Sequence, residues 1–502
     1  MRVGIIGTGV SAIAFAGVLK RFGHDCVLFE KGPTLGGIWA LAYPQVRLQN
    51  SFEQYTFIDF PWPHQPDRHP TATQILNYLD QAAQHWGLEI RTEHEVTRLE
   101  ERADGWTLEV EHQGARSTHE FDRVIVAIGQ YAEGKHRPEF DGEERFGGTI
   151  VTERDVKDFD VFRDQRVCVV GFGKSAVDMT AFSAPVAKRV EHVFRSPRWL
   201  IPFTLLGMHY SYPFFCRAST TMMPSWVHGG RGERWLHEHC PWLVNQFWKL
   251  IEMLVKRHMR SHQTDEPASR ERLDSITPQH SFVGDLRSAT AMAPQPYFQW
   301  VAEGRITPTQ GELAHFDERG IVLTDGRTVE ADVVVLALGS KTPQFPFLPE
   351  KYRELVEAEN DGVQLFRHIL HPDIPNLAFA GYNHGFMHIA AAELGALWLA
   401  AVWRGDIELP ARDDQLRCIA DIQTWKREFV QYEPSRSCAV STRFQQYIDA
   451  VLLEMGETPY RKLPNPVAEV FSRYGGSDYS GIVDHVLAHP PDAPRQCQPF
   501  IT

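Results

Sequence analysis

Two glycine turns carry the first chemical signal in this chain of 502 residues. Gly7, Gly9 and Ala12 form G-x-G-x-x-A within VGIIGTGVSAIAFAG, and Gly171, Gly173 and Ala176 repeat the spacing within VCVVGFGKSAVDMT. The first glycine of such a turn permits a sharp bend, the second lets the backbone approach a pyrophosphate, and the alanine lets helix and strand pack closely. The pyrophosphate then meets free N–H groups at a helix N-terminus, where this chain places Ser11 in one turn and Lys174 and Ser175 in the other. A ribose selector follows each turn. CVLFE ends on Glu30, with Lys31 next, and a carboxylate there accepts hydrogen bonds from free ribose hydroxyls. RVEHVFRS instead ends on Arg195 and Ser196, with Arg198 just beyond, and a guanidinium there pairs bidentately with a 2′-phosphate. The bland alternative is that both arginines form a solvated strand end. Lys174 either adds charge near the phosphates or faces water. Two turns for two dinucleotides, one with a bare ribose and one NADP, imply hydride passing between them.

Each turn requires a strand before it, a helix after it and a second strand to carry the selector. Val3 to Ile6 and Arg166 to Val170 are short apolar runs of the kind buried in parallel sheets. The chain is too long for a single core, so two or more domains are expected. A net charge of −13 argues against broad nucleic-acid binding. No run of about 18 apolar residues reads as a membrane span, and a glycine turn opening at Gly4 leaves no room for a cleaved signal peptide. The seven cysteines are scattered and include no C-x-x-C pair, as in a reducing compartment, so a cytoplasmic protein is expected. Without such a pair the dithiol chemistry of the pyridine-nucleotide disulfide reductases is excluded. HGFMH places His384 and His388 at H-x-x-x-H spacing but lacks an acidic partner pattern, so no metal is expected.

Further segments resemble the flavin-containing monooxygenases. KGPTLGGIW, with Gly36, Gly37 and Trp39, is similar to that family's second FAD segment. YPQVRLQNSFEQYTFIDFPWP is similar to the stretch carrying its active-site asparagine, matched here by Asn50. VIVAIGQ, with Gly129, and VVVLALGSKTPQFPFLP, with Gly339, resemble its closing strand-and-glycine segments. IPNLAFAGYNHG, with Gly381 and Asn383, and AAELGALW, with Glu393 and Trp398, resemble its C-terminal FAD segment. The ordered matches run from about residue 1 to 401. The resemblance implies an α/β protein of two Rossmann-like dinucleotide domains, with FAD in the first and NADPH in a second domain inserted into it. It implies that molecular oxygen adds to the reduced flavin as a C4a-hydroperoxide, which oxygenates nitrogen or sulfur of a small organic substrate. Asn50 would help hold that oxidant, its amide offering donors and an acceptor without titrating. Read alone, Asn50 is equally a turn-capping residue. Baeyer–Villiger or carbon oxygenation, an NADPH oxidase or flavin dehydrogenase, and a flavoprotein without turnover are the alternatives.

Two departures motivate the oxidase alternative. FGGTIVTERDV places Thr152 where the family's linker motif has histidine, and Ser340 replaces a tyrosine. The expected domains are 1–160 for FAD, 161–330 for NADPH, 331–409 for FAD again and 410–502 as a capping extension. Within the second domain, about 199–278 forms an aromatic-rich helical insertion. In it Leu243, Phe247, Leu250 and Leu254 recur at helical spacing, which fits core packing, a substrate entrance or, least well, a membrane-touching face. A homodimer is left open.

Overall fold

The computed structural model describes residues 1–131, 134–227, 231–286, 291–429 and 440–497. Its principal strands are β1 (Arg2–Ile6), β2 (Asp25–Phe29), β3 (Glu89–Arg91), β4 (Arg123–Val126), β5 (Thr149–Val151), β6 (Arg166–Val170), β7 (Arg189–Phe194), β8 (Ile306–Gln310), β9 (Val333–Leu336) and β10 (Leu377–Phe379). They make two five-stranded parallel sheets, ordered β10-β4-β1-β2-β3 and β5-β9-β6-β7-β8. The predicted apolar runs β1 and β6 lie third in each sheet and are buried on both faces, as a covered parallel sheet requires. Helix α1 (Val10–Arg21) follows β1, and α2 (Lys174–Ser183) follows β6. In both units a three-stranded antiparallel meander, 95–121 or 313–330, lies between the outer strand and the return strand. The four strands β1–β4 and β6–β9 therefore repeat one topology, and the fifth strand comes after them in the first unit and before them in the second.

The sheets shift the expected boundaries. β5 precedes residue 161 and β9 follows residue 330, yet β9 pairs in parallel with both β6 and β5. The second unit thus extends from β5 to β9, and β10 alone returns to the first sheet. Parallel pairing needs a crossover on each side of the inserted unit, and the two crossing segments run together. His136 N–H donates to Gly339 O at 2.9 Å and Lys341 N–H to Gly134 O at 3.0 Å. Lys135 Nζ lies 2.6 Å from Glu153 and 3.4 Å from Ser340 Oγ, so the departing serine helps close this junction.

The insertion contains helix α3 (Pro241–Arg260), whose inward face centres one position along from the Leu243, Phe247, Leu250 and Leu254 stripe. Val244, Trp248, Val255 and Met259 are buried, whereas Leu243 and Leu250 are exposed. The two stripes share helical spacing and sit one position apart, so periodicity alone could not choose between them. Trp248 decides it, because its indole N–H reaches Met222 O at 2.8 Å on the buried side. Helix α4 (His388–Arg404) is apolar all round and packs along α1. The C-terminal segment is built into the structure rather than appended. Gln54 Nε2 donates to Tyr474 O at 3.0 Å, and Arg217 of the insertion pairs with Asp449 at 2.5 Å. Among the described residues no helix is long and apolar enough to cross a membrane.

Candidate functional site: two glycine cradles and a buried amide

In the first cradle Gly7 has φ +106°, and a Cβ there would lie 2.5 Å from Ala127 O on the neighbouring strand. Gly9 caps α1 with no side-chain acceptor, and the first turn of α1 holds no acidic residue, so its leading N–H groups stay open to an anion. Gly9 and Gly37 approach so closely that a Cβ on Gly37 would stand 3.0 Å from Gly9 Cα. Ala12 is buried where α1 meets the sheet. These observations fit a dinucleotide pyrophosphate, because the glycines let the turn pack against Ala127 and Gly37 while the α1 N–H groups stay open. At the end of β2, Glu30 is held in place by Thr8 Oγ1 at 2.7 Å, Thr8 N–H at 3.2 Å and Gly32 N–H at 2.8 Å. Its carboxylate retains lone pairs for ribose hydroxyls. Lys31 beside it is exposed.

The back of this cradle is a chain of aromatic and polar contacts. Ser11 Oγ lies 2.7 Å from His388 Nε2 at the start of α4. Gly381 allows this contact, since its Cβ would reach within 3.0 Å of Ser11 Oγ. Tyr55 stacks edge-on to His388 and accepts the Trp39 indole N–H at 2.8 Å. Desolvation lowers the His388 pKa to about 3, so the ring is a neutral hydrogen-bonding group. Gly129 continues the segment that touches Gly7, with φ +76° and open space around it. Asn383 departs from the expected ligand role. Its amide turns inward to Ala391 O at 2.7 Å and Tyr447 at 3.3 Å, bracing the loop before α4.

The second cradle repeats the backbone of the first. Gly171 has φ +128° and would meet Ala337 O at 2.4 Å, and Gly173 caps α2 without a side-chain acceptor. Ala176 is buried behind the turn, and Gly339 follows Ala337 with φ +96°. Gly7 N–H donates to Phe29 O at 2.7 Å, and Gly171 N–H donates to Val193 O at 2.9 Å. The side chains differ. Arg195 is 78% exposed and only loosely paired with Glu312 at 3.6 Å, beside the exposed Ser196. Arg198 does not join it: its guanidinium pairs with the buried Asp285 at 3.3 Å, and that carboxylate also takes the Trp199 N–H at 2.6 Å. Lys174 is largely covered rather than turned to water. It pairs one turn along α2 with the buried Asp178, which also accepts the Tyr43 hydroxyl at 2.7 Å. Burial pushes the Asp178 carboxyl up against the pull of Lys174. Ser175 sits half-buried in the same turn.

Asn50 lies near the loop before α4. It is buried, and its Nδ2 donates to Phe386 O. Thr152, at the family's histidine position, closes its own turn by donating N–H and Oγ1 to Asp155 at 2.8 Å each. Several site residues gave no sequence signal. His192 is buried beneath the second turn, with Nε2 2.7 Å from Gly171 O and Nδ1 2.9 Å from the Tyr297 hydroxyl. Thr8 was visible only as a variable letter of the glycine motif, and the Tyr43–Asp178 contact joins residues 135 apart. Among the described residues no group of acids, histidines or cysteines could hold a metal ion.

Comparison with known proteins agrees with this geometry. A family model described as pyridine nucleotide-disulphide oxidoreductase matches residues 4–202, and one described as flavin-binding monooxygenase-like matches residues 300–463. Within the first match Cys26 and Cys168 are buried strand residues, and burial lifts Cys26 to about 12, so no dithiol centre accompanies it. A probable flavin-containing monooxygenase 1 of Arabidopsis thaliana is 29% identical over 95% of this chain and 96% of its own. In fold, the chain resembles S-allyl-L-cysteine S-oxygenase from Allium sativum (TM-score 0.61, 19% identity, 97% of each chain). It also resembles the open form of cyclohexanone monooxygenase (TM-score 0.67, 15% identity, 91% of this chain and 98% of the other). Duplicated glycine cradles, a segment packed on the first and the matches along most of its length make this chain similar to the flavin-containing monooxygenases.

Proposed function

We propose that the protein is an NADPH-dependent flavin monooxygenase that transfers one oxygen atom to nitrogen or sulfur of a small organic molecule. Bound FAD would supply the oxygen-activating chemistry, and bound NADPH the reducing equivalents. The first cradle would take FAD through Gly7, Gly9, Ser11, Ala12, Gly37 and Trp39, with Glu30 on the ribose. The second would take NADPH through Gly171, Gly173, Ser175 and Ala176, with Arg195 on the 2′-phosphate.

The observation that carries the reading is the Asn50 amide: buried, non-titrating and tied to the loop beside the first cradle. Such a group offers hydrogen bonds to a developing oxygen centre without delivering the proton that would discharge it. Sulfur is favoured within the substrate class by fold likeness to an S-oxygenase. A soft nucleophile needs no general base, and the imidazole closest to the cradle, His388, is neutral. Thr152 favours a second reading, an NADPH oxidase, because the linker position where the family has histidine serves only its own turn.

The test is turnover with a panel of thioethers and tertiary amines under ¹⁸O₂, with peroxide measured in parallel. Label in a sulfoxide or N-oxide is expected, and Asn50→Ala should divert most of the NADPH consumed to peroxide. Peroxide alone from the unaltered protein across the panel would instead establish the oxidase reading.

A further inference from the structure

The segment around Asn50 is held by a pair of histidines that neither cradle uses. Leu48 N–H donates to Pro70 O at 2.9 Å and Phe52 N–H to Arg68 O at 3.0 Å, so the donors on either side of Asn50 are satisfied by the 68–70 segment. The acceptors are satisfied by one ring. His69 Nδ1 lies 3.1 Å from Leu48 O and 3.0 Å from Asn50 O. Its Nε2 lies 2.9 Å from Nε2 of His209, and His209 Nδ1 lies 2.8 Å from Ser211 Oγ and 3.3 Å from Ser211 N.

Backbone groups at both ends fix the direction of this chain. Two carbonyls face His69 Nδ1, so that nitrogen must carry the proton, which leaves Nε2 as an acceptor. The Ser211 N–H faces His209 Nδ1, so that nitrogen must be the acceptor and Nε2 the donor. The two requirements meet with one proton between the rings, and both imidazoles are neutral. A second proton on either ring would set two N–H groups against each other or against the Ser211 N–H.

We propose that His69 and His209 are a coupled pair of positioning residues that fix the Leu48 and Asn50 carbonyls, and through them the Asn50 amide. The inference rests on Asn50 being the amide of the reacting site. It also gives the aromatic insertion a role, since His209 lies on its hairpin of Thr204–Leu205 and Met208–His209, and the neighbouring Tyr210 hydroxyl donates to Gln49 O. The surroundings keep the pair neutral. Arg68, Arg473 and Lys174 oppose protonation, Glu53 favours it but is paired with Arg473 at 2.6 Å, and Phe203 and Tyr210 cover the His69 ring. Burial is the leading cause of the lowered pKa of both rings, with His209 at about 4.

The test reads tautomers first. In the intact holoprotein labelled with ¹⁵N-histidine, with assignment by His209→Gln, His69 should be the Nδ1–H form and His209 the Nε2–H form from pH 8 to about 5. An Nε2–H form of His69, or titration of either ring near the ordinary histidine value of about 6.5, would overturn the proposal. His209→Phe should raise amide exchange at Leu48 and Phe52 roughly tenfold, the scale of one lost hydrogen bond. It should also raise peroxide released per NADPH. His209→Gln keeps an N–H at the same place and should restore both, while removing the rise in peroxide expected of unaltered protein as pH falls toward about 4. Equal behaviour of the Phe and Gln variants would contradict a donor role for His209. Absence of NADPH oxidation in unaltered protein would count against the proposed function alone, because tautomers and exchange are read without turnover.

Discussion

The first and second dinucleotide units solve the same backbone problem and diverge at their side chains. Each bends at a glycine of positive φ pressed against a carbonyl of the return strand, Ala127 in one and Ala337 in the other. Each leaves a glycine-capped helix open at its N-terminus. At the end of the following strand the first unit holds Glu30 rigid with three donors, while the second leaves Arg195 exposed. A braced carboxylate suits a resident group. An exposed, loosely paired guanidinium suits a molecule that arrives and leaves each cycle. On the proposed reading, the turn makes a dinucleotide site and the strand end selects which dinucleotide it takes.

Alanine at the two turn glycines should break the comparison most severely. Displacing a strand carbonyl and holding alanine at positive φ together cost roughly 3 kcal/mol, about 100-fold in binding. Gly7→Ala is expected to yield colourless protein. Gly171→Ala should stay yellow yet fail to be reduced by NADPH, with flavin absorbance as the check. Loss of flavin from both would show that the units are not separate sites.

Acid should act next. His192 has its pKa lowered by burial to about 4 in the folded protein against an ordinary 6.5. As pH falls the unfolded chain takes the proton first, so this stability is complete above about 6.5 and is lost progressively down to about 4. At ~1.4 kcal/mol per pKa unit the loss approaches roughly 3 kcal/mol. His388 and His209 act in the same direction. Thermal melts from pH 8 to 4 should show the decline, and His192→Phe should make it shallower from a lower starting point.

Arg195→Ala sharpens the comparison at the selector. It should weaken NADPH about tenfold, near 1.4 kcal/mol, and leave NADH almost unchanged, as titration of each nucleotide would show. Equal losses for both would remove Arg195 from the 2′-phosphate. Lys174→Met should have the smallest effect on NADPH, under about threefold, because its ammonium is committed to Asp178. A loss as large as that of Arg195→Ala would mean that Lys174 leaves Asp178 for the phosphate.

Local patterns made much of this legible. Both glycine turns, the strand-end positions of Glu30 and Arg195 and the apolar strands follow from short-range spacing, because each is a single supersecondary unit. What escaped depends on long-range contact. The sheet membership of β5 and β9 is set by pairing across the inserted unit, and no strand announces its neighbour. The inward face of α3 could not be chosen because adjacent stripes satisfy the same period. Arg198 carried the right charge at the right distance in sequence, but Asp285, which takes it, lies 87 residues away. Neither His192 nor the His69–His209 pair stands in a motif, and their roles exist only once two elements meet.

The most direct test of the account mixes the purified yellow protein anaerobically with NADPH or NADH and follows flavin absorbance near ~450 nm, a property of the bound cofactor. Rapid bleaching is expected with NADPH at micromolar concentrations, with reduction by NADH at least tenfold less effective and that preference lost in Arg195→Ala. Bleaching by both nucleotides alike, or by neither, would contradict a second cradle built for NADPH.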